Sequence, residues 1–478
     1  MAPRSADEWR QKIQRATLLT AVAFATACGG GDLVVATPDA QTRAARPNIL
    51  FLLADDMRAD AVGYAGNPII RTPNLDALAH RGVWFSNAYV SSPICAISRA
   101  SIFSGQYARR HGIVDFDHDF SPAALAQTYP ALLHAAGYRT GFIGKFGVGN
   151  DPPVELFDYW RGFTGQGTYE TNARDSLGHP LHLTKLMTWQ AIEFLESQPH
   201  DRPFALSISY KAPHVQDEDP RQFVAEAADA GMYATELIPT PPTADDRYWL
   251  AFPQFFREHN LARERWQMLF STPDKYQASV KGYYRLVSGL DRSVGALRAA
   301  LRRLNLEDNT IIIFTSDNGF FLGELGMAHK WYGHDPSIRV PLIFFDPRGL
   351  ADQDGREDTS IVVNEDIAPT LLELAGVRIP ATMQGRSMVA AAHGDVSFER
   401  TDFLFEEMMP EPGIKRSTGV AGGRYKYLVY VDPQPNYEVL YDLVADPHET
   451  TNLAADPRYA SILSTLRQRH ADLVAQAR

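Results

Sequence analysis

Two pairs of carboxylate and amide side chains, far apart in the sequence, directly follow apolar segments. Asp55 and Asp56 end one such segment, and Asp317 and Asn318 follow another after a single serine. Either pair alone is typical of a turn or a helix cap. Together they supply only hard oxygen ligands, with no thiolate or imidazole beside them, which favours Ca²⁺ or Mg²⁺ over zinc. The pattern therefore predicts a divalent-metal site formed by these four residues.

The segment from Ser91 to Gly105 contains one of the two cysteines of the chain. Pro93 ends the preceding strand-like run, and the residues from Ala96 onward have helical character. We therefore expect Cys95 near a helix N-terminus, where backbone amides and the helix dipole favour an anion. Arg99 lies one turn later on the same face, within reach of a bound oxyanion. A lone cysteine is more often a small buried apolar residue.

The polar residues must be positioned by the strands that precede them. Four continuous apolar segments predict strands buried on both faces. Helical patterns separate them, as in a parallel α/β sheet, whose ligands bind beyond the carboxyl ends of the strands. The strands are predicted at 49–54, 139–143, 204–210 and 310–315, and helices at 128–136, 186–196 and 282–304. We expect Lys145, Lys211 and His214, which follow the second and third strands, to converge with the carboxylates.

The pattern changes from about Gly376 onward. Short strand-like segments then follow one another closely and precede an amphipathic helix, which predicts a small antiparallel α+β subdomain. The strands are predicted at 401–405, 424–430 and 438–443, and the helix at 457–477. The predicted organisation is a leader at 1–28, a linker at 29–46, an α/β catalytic domain at 47–375 and a C-terminal subdomain at 376–478.

Composition sets the class of protein and excludes one class of partner. The 478 residues are 45% hydrophobic and 22% charged, as in soluble globular proteins. The formal net charge is −11, so the surface as a whole repels nucleic acid and other polyanions. An anionic substrate would therefore need a local cationic pocket.

The N-terminal residues have the pattern of an export signal. Arg10, Lys12 and Arg15 precede the apolar stretch 16–27, which is too short to span a bilayer. Cys28 follows and is trailed by three glycines, which resembles a lipoprotein cleavage site with an acylated cysteine. We expect an exported protein that is periplasmic or anchored to a membrane through lipidated Cys28. A cleaved signal without lipid and an ordinary apolar helix are the alternatives.

The segment around Cys95 resembles the signature of the formylglycine-dependent type I sulfatases, members of the alkaline phosphatase superfamily. Their signature is C-x-P-x-R followed by a short helix that ends in S/T-G, and here the chain reads C-A-I-S-R-A-S-I-F-S-G. Cys95, Arg99 and Gly105 match, whereas Ile97 stands where the family has proline. The resemblance implies that a formylglycine-generating enzyme oxidises Cys95 to formylglycine.

Other segments agree with the family in order and spacing from Pro47 to about Leu453. They are P-N-I-L-F-L-L-A-D-D, G-Y-R-T-G-F-I-G-K-F-G-V-G, S-Y-K-A-P-H and T-S-D-N-G-F-F-L-G-E-L-G-M-A-H-K-W. The resemblance implies a Ca²⁺ site, with Mg²⁺ as the alternative, formed by Asp55, Asp56, Cys95, Asp317 and Asn318. The catalytic residues that it implies are Cys95, Arg99, Lys145, His214, Asp317 and Lys330. Gly147 stands where the family has a histidine, and His111 is a candidate to replace it.

The function that the resemblance implies is hydrolysis of a sulfate ester. A divalent ion and the cationic side chains would neutralise the charge that develops as the ester bond breaks. The hydrated formylglycine would attack sulfur with one hydroxyl, and the second would allow collapse with release of sulfate. We expect a sulfated carbohydrate as the substrate. The alternatives are an aryl sulfatase, a phosphonate or phosphodiester hydrolase on the same fold, and a non-catalytic sulfoglycan-binding protein.

The segment from 217 to 273 has weak periodicity and is rich in proline, alanine, aspartate and tryptophan. Long irregular segments of compact proteins are often functional, so we interpret this one as a surface excursion near the site. Tyr248 and Trp249 are candidates to stack against sugar rings or, alternatively, to anchor the segment to the body of the protein.

The first testable prediction concerns position 95. Protein made in a host with a formylglycine-generating enzyme should carry an aldehyde there, because the Cys95 and Arg99 pair has the family's spacing. Mass spectrometry of the peptide from Ser91 to Arg99 should record the loss of sulfur. An unmodified thiol in protein that nonetheless turns over a sulfate ester would contradict the assignment.

Overall fold

The computed structural model of the chain describes residues 46–175, 178–199, 201–349, 355–395 and 398–478. The leader predicted at 1–28 and Cys28 with it lie outside these ranges. Within them, no helix combines the length and the apolar character needed to cross a bilayer.

The strands and helices follow each other along the chain in the alternation expected of an α/β protein. The strands are β1 (Asn48–Asp55), β2 (Val83–Tyr89), β3 (Arg139–Lys145), β4 (Tyr159–Phe163), β5 (Glu170–Arg174), β6 (Pro180–His182), β7 (Phe204–Pro213), β8 (Thr310–Ser316), β9 (Phe321–Leu322), β10 (Ala328–His329), β11 (Leu342–Phe345), β12 (Arg356–Val363), β13 (Phe403–Glu407), β14 (Ser417–Ala421), β15 (Tyr425–Tyr430) and β16 (Tyr437–Asp442). The described α-helices are α1 (Pro73–Ala79), α2 (Cys95–Ser104), α3 (Ala108–His111), α4 (Pro122–Leu125), α5 (Tyr129–Ala135), α6 (Leu183–Glu196), α7 (Asp246–Leu250), α8 (Gln254–Arg257), α9 (Leu261–Leu269), α10 (Pro273–Arg303), α11 (Asp335–Ile338), α12 (Ile367–Leu374), α13 (Val389–Ala392) and α14 (Ala460–Gln476).

The central sheet has eight strands in the order β12-β2-β11-β8-β1-β7-β3-β4. Its strand pairs are parallel except those of β11, which runs antiparallel to both neighbours. β1 lies in the middle, with Ala54 opposite Ser316 of β8 and Asp55 opposite Pro213 of β7. The predicted mostly parallel sheet and its four buried strands are confirmed. The register places the carboxyl ends of β1, β7 and β8 side by side.

The C-terminal strands form a second sheet, antiparallel, in the order β13-β14-β15-β16. The final helix α14 covers one face of it through Leu463 and Leu473. The other face belongs to the core of the central sheet, because Phe405 and Leu428 lie in the same buried cluster as Phe51. The antiparallel C-terminal sheet is confirmed, and the domain boundary at 375 stays a prediction.

The sequence patterns did not predict the strands β11 and β12 or the first residues of α10. β12 is an edge strand with several part-exposed residues, and β11 has only four residues, so neither gives a long apolar run. α10 begins at Pro273, nine residues before its predicted start at Gly282. The side chain of Thr272 caps it by accepting a hydrogen bond from the backbone N–H of Lys275 at 3.2 Å.

A buried lysine joins the C-terminal sheet to the body of the protein. Lys426 of β15 is 0% exposed, and its Nζ lies 2.7 Å from Asp335 Oδ1 and 2.7 Å from Glu449 Oε1. Burial opposes the charge of Lys426, but the two carboxylates raise its pKa above the ordinary value. The ammonium group is therefore held in its charged form by two segments distant in sequence.

Replacing Lys426 by alanine should destabilise the protein strongly. Removal of one partner of a buried ion pair costs about 3–5 kcal/mol, because the charge left behind has lost its compensation. The midpoint of thermal unfolding, measured by calorimetry, should fall by several degrees or more. Lys185→Ala on the exposed face of α6 serves as the control and should leave the midpoint nearly unchanged. Equal midpoints for the two variants would mean that the buried pair contributes nothing to stability.

Candidate active site

The structure brings the nine predicted site residues together in one buried cluster. They lie at or directly after the ends of β1, β3 and β8, in the first two turns of α2, in the turn after β7 and directly after β10. None is more than 4% exposed. The residues are Asp55, Asp56, Cys95, Arg99, Lys145, His214, Asp317, Asn318 and Lys330.

The carboxylates of two neighbouring strands face each other across the centre of the cluster. Asn318 Nδ2 donates a hydrogen bond to Asp56 Oδ1 at 2.6 Å, and the backbone N–H of Asp56 donates to Asp317 Oδ1 at 3.2 Å. Asp56 has a φ of 67°, the left-handed conformation that aspartate tolerates better than most residues. This turn directly after Asp55 lets both consecutive carboxylates enter the same site. Asp56 Oδ2 has no hydrogen-bond partner among the described residues.

Cys95 is the first residue of α2, as the sequence predicts. Its Sγ lies 3.3 Å from Asp55 Oδ1 and 3.7 Å from Asn318 Oδ1 and accepts a hydrogen bond from Lys330 Nζ at 3.0 Å. Burial, with the negative charge of Asp55, raises the pKa of the thiol to about 12. The unmodified side chain is therefore a neutral thiol and a weak nucleophile at neutral pH.

Arg99 lies one turn after Cys95 and holds the cluster together from below. Its Nε donates to Asp317 Oδ2 at 2.8 Å, and its Nη1 donates to the carbonyl oxygen of Lys145 at 2.6 Å and to the hydroxyl of Ser209. Nη2 has no hydrogen-bond partner among the described residues, although Asp55 Oδ2 lies 3.4 Å away. Arg99 is thus a common neighbour of residues in or directly after four strands, β1, β3, β7 and β8.

Gly147 explains part of this packing. A Cβ atom at this position would lie only 2.7 Å from Arg99 Cδ, and the residue has a φ of 75°. The Arg99 side chain therefore occupies the space where a side chain of residue 147 would begin. The family histidine does not fit at this position unless Arg99 moves.

His111 does not replace that histidine in the structure. Its Nε2 lies 3.1 Å from Ser101 Oγ, and its Nδ1 accepts a hydrogen bond from the backbone N–H of Ile113 at 3.0 Å. Burial lowers its pKa to about 3. The ring nitrogens have partners on Ser101 of α2 and on Ile113 after α3, so the structure gives no support to His111 as a substitute.

Both lysines of the cluster and the ring of His214 lie next to a carboxylate. Lys145 Nζ donates to Asp55 Oδ2 at 2.7 Å, and Lys330 Nζ donates to Asp56 Oδ1. His214 Nε2 lies 3.6 Å from Asp56 Oδ2, while its Nδ1 lies 2.6 Å from the carbonyl oxygen of Val215. The lysines therefore compensate the carboxylates directly.

Burial and neighbouring charges shift the pKa values in opposite directions within the cluster. Burial would raise the pKa of Asp55, but the charges of Lys145, Arg99 and Lys330 hold it well below its usual value. Burial raises the pKa of Asp56 to about 7, although Lys330 opposes the shift. Burial lowers the pKa of His214 well below its ordinary value, so its imidazole is neutral. Asp55 is the carboxylate most firmly ionised.

The donor set fits a hard divalent cation. Ligand atoms of Asp55, Asp56, Cys95 and His214 lie within 4.8 Å of one another. Asp317 and Asn318 add two more side chains with oxygen ligands to the same cluster. Asp56 Oδ2, which has no hydrogen-bond partner among the described residues, is available as a metal ligand. Several carboxylates from neighbouring strand ends, all fully buried, are the arrangement that Ca²⁺ or Mg²⁺ stabilises.

Three residues that the sequence analysis did not single out support the site. Gln166 accepts a hydrogen bond from Lys145 Nζ at 2.6 Å, and Ser209 accepts one from Arg99. The Tyr169 hydroxyl donates to the carbonyl oxygen of His214 at 2.6 Å. The sequence carries one signal for Gln166, since it stands between two glycines in T-G-Q-G-T, and both have a positive φ. Ser209 and Tyr169 have no comparable signal.

The segment from 217 to 273 is partly helical and contains α7, α8 and α9. Trp249 is 6% exposed and packs against Phe252 and Phe256, with ring centroids 5.9 Å and 6.0 Å away. The interpretation of Trp249 as a platform for sugar rings is therefore wrong, because its faces lie in the core. The alternative, an anchor of the segment, describes this residue.

Comparison with known proteins gives consistent results. The profile of the family described as Sulfatase matches residues 47–377, and that described as N-sulphoglucosamine sulphohydrolase, C-terminal, matches residues 323–476. An N-acetylglucosamine-6-O-sulfatase of Bacteroides thetaiotaomicron is 28% identical, over 88% of this chain and 85% of that protein. A choline-sulfatase of Rhizobium meliloti is 30% identical, over 86% of this chain and 83% of that protein.

Two solved structures share the fold. One is a protein in complex with its substrate D-glucosamine-2-N,6-O-disulfate; it is 26% identical with a TM-score of 0.77, over 90% of this chain and 98% of that chain. The other is a phosphonate monoester hydrolase of Silicibacter pomeroyi, 22% identical with a TM-score of 0.76, over 91% of this chain and 96% of that chain. The second likeness concerns the fold alone.

Asp317→Asn should lower kcat for a sulfate ester by at least about 100-fold, because it removes a buried charge beside Arg99 and from the metal donor set. Steady-state kinetics with an aryl sulfate and the metal content of the purified protein are the measurements. Asp291→Asn is the matched control, since Asp291 is 1% exposed but caps α1. Near-normal turnover and metal content in Asp317→Asn would refute its role.

Proposed function

Since this chain belongs to the sulfatase family and is a sulfuric ester hydrolase, we propose that its substrate is a sulfated carbohydrate. One observation carries this proposal. The relative named N-acetylglucosamine-6-O-sulfatase matches 88% of the chain, and the structure solved with a disulfated glucosamine matches 90% of it.

The cluster is suited to the charge of a sulfate ester. The ester carries one negative charge on its terminal oxygens, and charge moves to the bridging oxygen as the S–O bond breaks. Arg99, Lys145 and Lys330 supply fixed N–H donors around Cys95, in a site from which bulk water is excluded. Preorganised donors stabilise developing charge more strongly in such a site than in water.

The lysines would exchange partners when substrate binds. Lys145 and Lys330 now compensate Asp55 and Asp56, respectively. With Asp55 and Asp56 holding a divalent cation, Lys145 and Lys330 would be available to donate hydrogen bonds to the oxygens of a bound sulfate. His214 is neutral and lies next to Asp56. Because its Nδ1 donates to the carbonyl oxygen of Val215, its Nε2 is an acceptor that can take a proton from a bound hydroxyl group.

We further propose that Asp55, Asp56, Asp317 and Asn318 hold Ca²⁺, with Mg²⁺ as the alternative, and that Cys95 is converted to formylglycine by a formylglycine-generating enzyme. The high pKa of the unmodified thiol supports this conversion, because a neutral buried thiol is a weak nucleophile. When bound, the cation and the hydrated aldehyde would supply charge neutralisation and an acidic hydroxyl beside Arg99.

An exported location completes the proposal. The leader pattern before Cys28 supports a periplasmic protein or one anchored to a membrane through the lipidated cysteine. Polymeric sulfated carbohydrates are too large to enter the cytoplasm freely, so an exported hydrolase would meet them outside it.

A desulfation screen tests the substrate class. Release of inorganic sulfate from a set of sulfated saccharides should exceed release from a small aryl sulfate in kcat/KM by at least about 10-fold, because contacts remote from the sulfur contribute to transition-state binding. An aryl phosphonate in the same assay should be turned over more slowly than the aryl sulfate. The matched control is Cys95→Ala, which cannot be converted. Faster turnover of the phosphonate, or no release from any saccharide, would overturn the proposal.

A further inference from the structure

The ion pair between Arg265 and Asp217 connects two segments that contribute residues to the active site, and neither residue has a role in the chemistry described above. Arg265 Nη1 lies 2.8 Å from Asp217 Oδ1, and the two side chains are 25% and 33% exposed. Asp217 follows His214 by three residues, whereas Arg265 lies on α9. α9 packs against β10, which ends at His329 directly before Lys330. The pair therefore connects the segment that follows His214 to the helix that packs beside Lys330.

His329 contributes a polar atom without a partner to the same region. It is 3% exposed, and within the described ranges its Nε2 makes no hydrogen bond. Its ring stacks on Trp331 at 5.4 Å and lies 6.5 Å from the ring of His214. Burial lowers its pKa well below the ordinary value, and the charges of Arg265 and Lys330 lower it further. A neutral imidazole with a free nitrogen beside the catalytic cluster is suited to hydrogen bond with a bound molecule.

The neighbouring Arg263 illustrates what a structural arginine does on this helix. It pairs with Asp246 at 2.8 Å, and its guanidinium lies 3.8 Å from the centre of the Trp266 ring. Both its charge and one of its faces are used within the protein. Arg265, by contrast, has one ion pair among the described residues, with Asp217. Since a guanidinium has five N–H donors, most of those of Arg265 remain for another anion.

We propose that Arg265 determines specificity by binding a second sulfate group of the substrate, and that Asp217 competes with that group for the same guanidinium. The inference rests on the proposed sulfated carbohydrate. While the first sulfate occupies the cluster at Cys95, the second lies at the rim between His329 and Arg265. A planar guanidinium can bind two sulfate oxygens at once, in the same way as it can bind the two oxygens of a carboxylate.

The charge of Asp217 limits how strongly Arg265 favours a second sulfate. Without a second anion, the carboxylate holds Arg265 in place and offsets its charge, so a monosulfated saccharide gains nothing from the arginine. When a disulfated saccharide binds, its second sulfate replaces the Asp217 carboxylate as the partner of Arg265. The arginine therefore discriminates between the two ligands instead of raising affinity for every anion.

Two compounds that differ in one charge test the proposal. They are D-glucosamine-2-N,6-O-disulfate and N-acetyl-D-glucosamine 6-O-sulfate. Each is titrated calorimetrically, in Ca²⁺-containing buffer, into Cys95→Ala protein, which cannot be converted. The ratio of the two dissociation constants should favour the disulfate by about 10-fold to 100-fold, the range of a charge-assisted hydrogen-bond pair. Arg265→Gln should bring that ratio close to one. Asp217→Asn should raise it, because the competing charge is gone.

The control is Arg303→Gln at the C-terminal end of α10. This change breaks an exposed ion pair with Glu196, whose length is 2.6 Å, and should leave the ratio unchanged. An unchanged ratio in Arg265→Gln overturns the proposal, as does a ratio near one in the parent. If Asp217→Asn lowers the ratio as much as Arg265→Gln, the pair is only an anchor for α9. If neither compound binds the parent, the carbohydrate assignment fails as well, whereas equal binding of both overturns only the role of Arg265.

Discussion

Compensation of charge within one buried cluster is the interaction on which the rest of this structure depends. Three carboxylates and three strongly basic groups are withdrawn from water together, and none is more than 4% exposed. They are Asp55, Asp56, Asp317, Arg99, Lys145 and Lys330. Isolation of any one of them at this depth would cost several kcal/mol, so each requires the others. The six charges balance, and a divalent cation on the carboxylates would leave a surplus of positive charge that only an anion could satisfy. With the proposed cation in place, the cluster would bind a negatively charged group.

The parallel sheet meets this requirement because it brings distant segments together at one edge. β1 lies between β7 and β8, so the carboxyl ends of three strands that are widely separated in sequence become neighbours. Close backbone approach is part of the same constraint. Gly144 has a φ of 100°, and a Cβ atom there would lie 2.1 Å from the carbonyl oxygen of Ser209. The absence of a side chain at Gly147 leaves room for Arg99. The strands set the positions, and these local features of the backbone allow the charged groups to meet.

Chemistry and selectivity have separate structural origins in this protein. The groups that surround Cys95 come from strand ends and from α2, which are rigid and buried. The rim comes from α9 and from the turn after β7, which are partly exposed. In the segment from 217 to 273, Trp249 is buried in the core and anchors the segment, whereas Arg265 lies at the rim. Rim residues can therefore change without disturbing the balance of charge below them.

The sequence by itself determined the buried strands β1, β3, β7 and β8, the polar residues at their ends and the position of Cys95 at the start of a helix. Each of these follows from a local pattern, namely an apolar run and the residue that ends it, or a proline before a helical stretch. The order of the strands, the contacts of Ser209 and Tyr169, the burial of Trp249 and the pair of Asp217 with Arg265 were decided only by the tertiary structure. Such contacts join residues far apart in the chain, and their partners depend on which strands become neighbours. A local pattern contains no information about that choice, because it is made by the packing of the whole sheet.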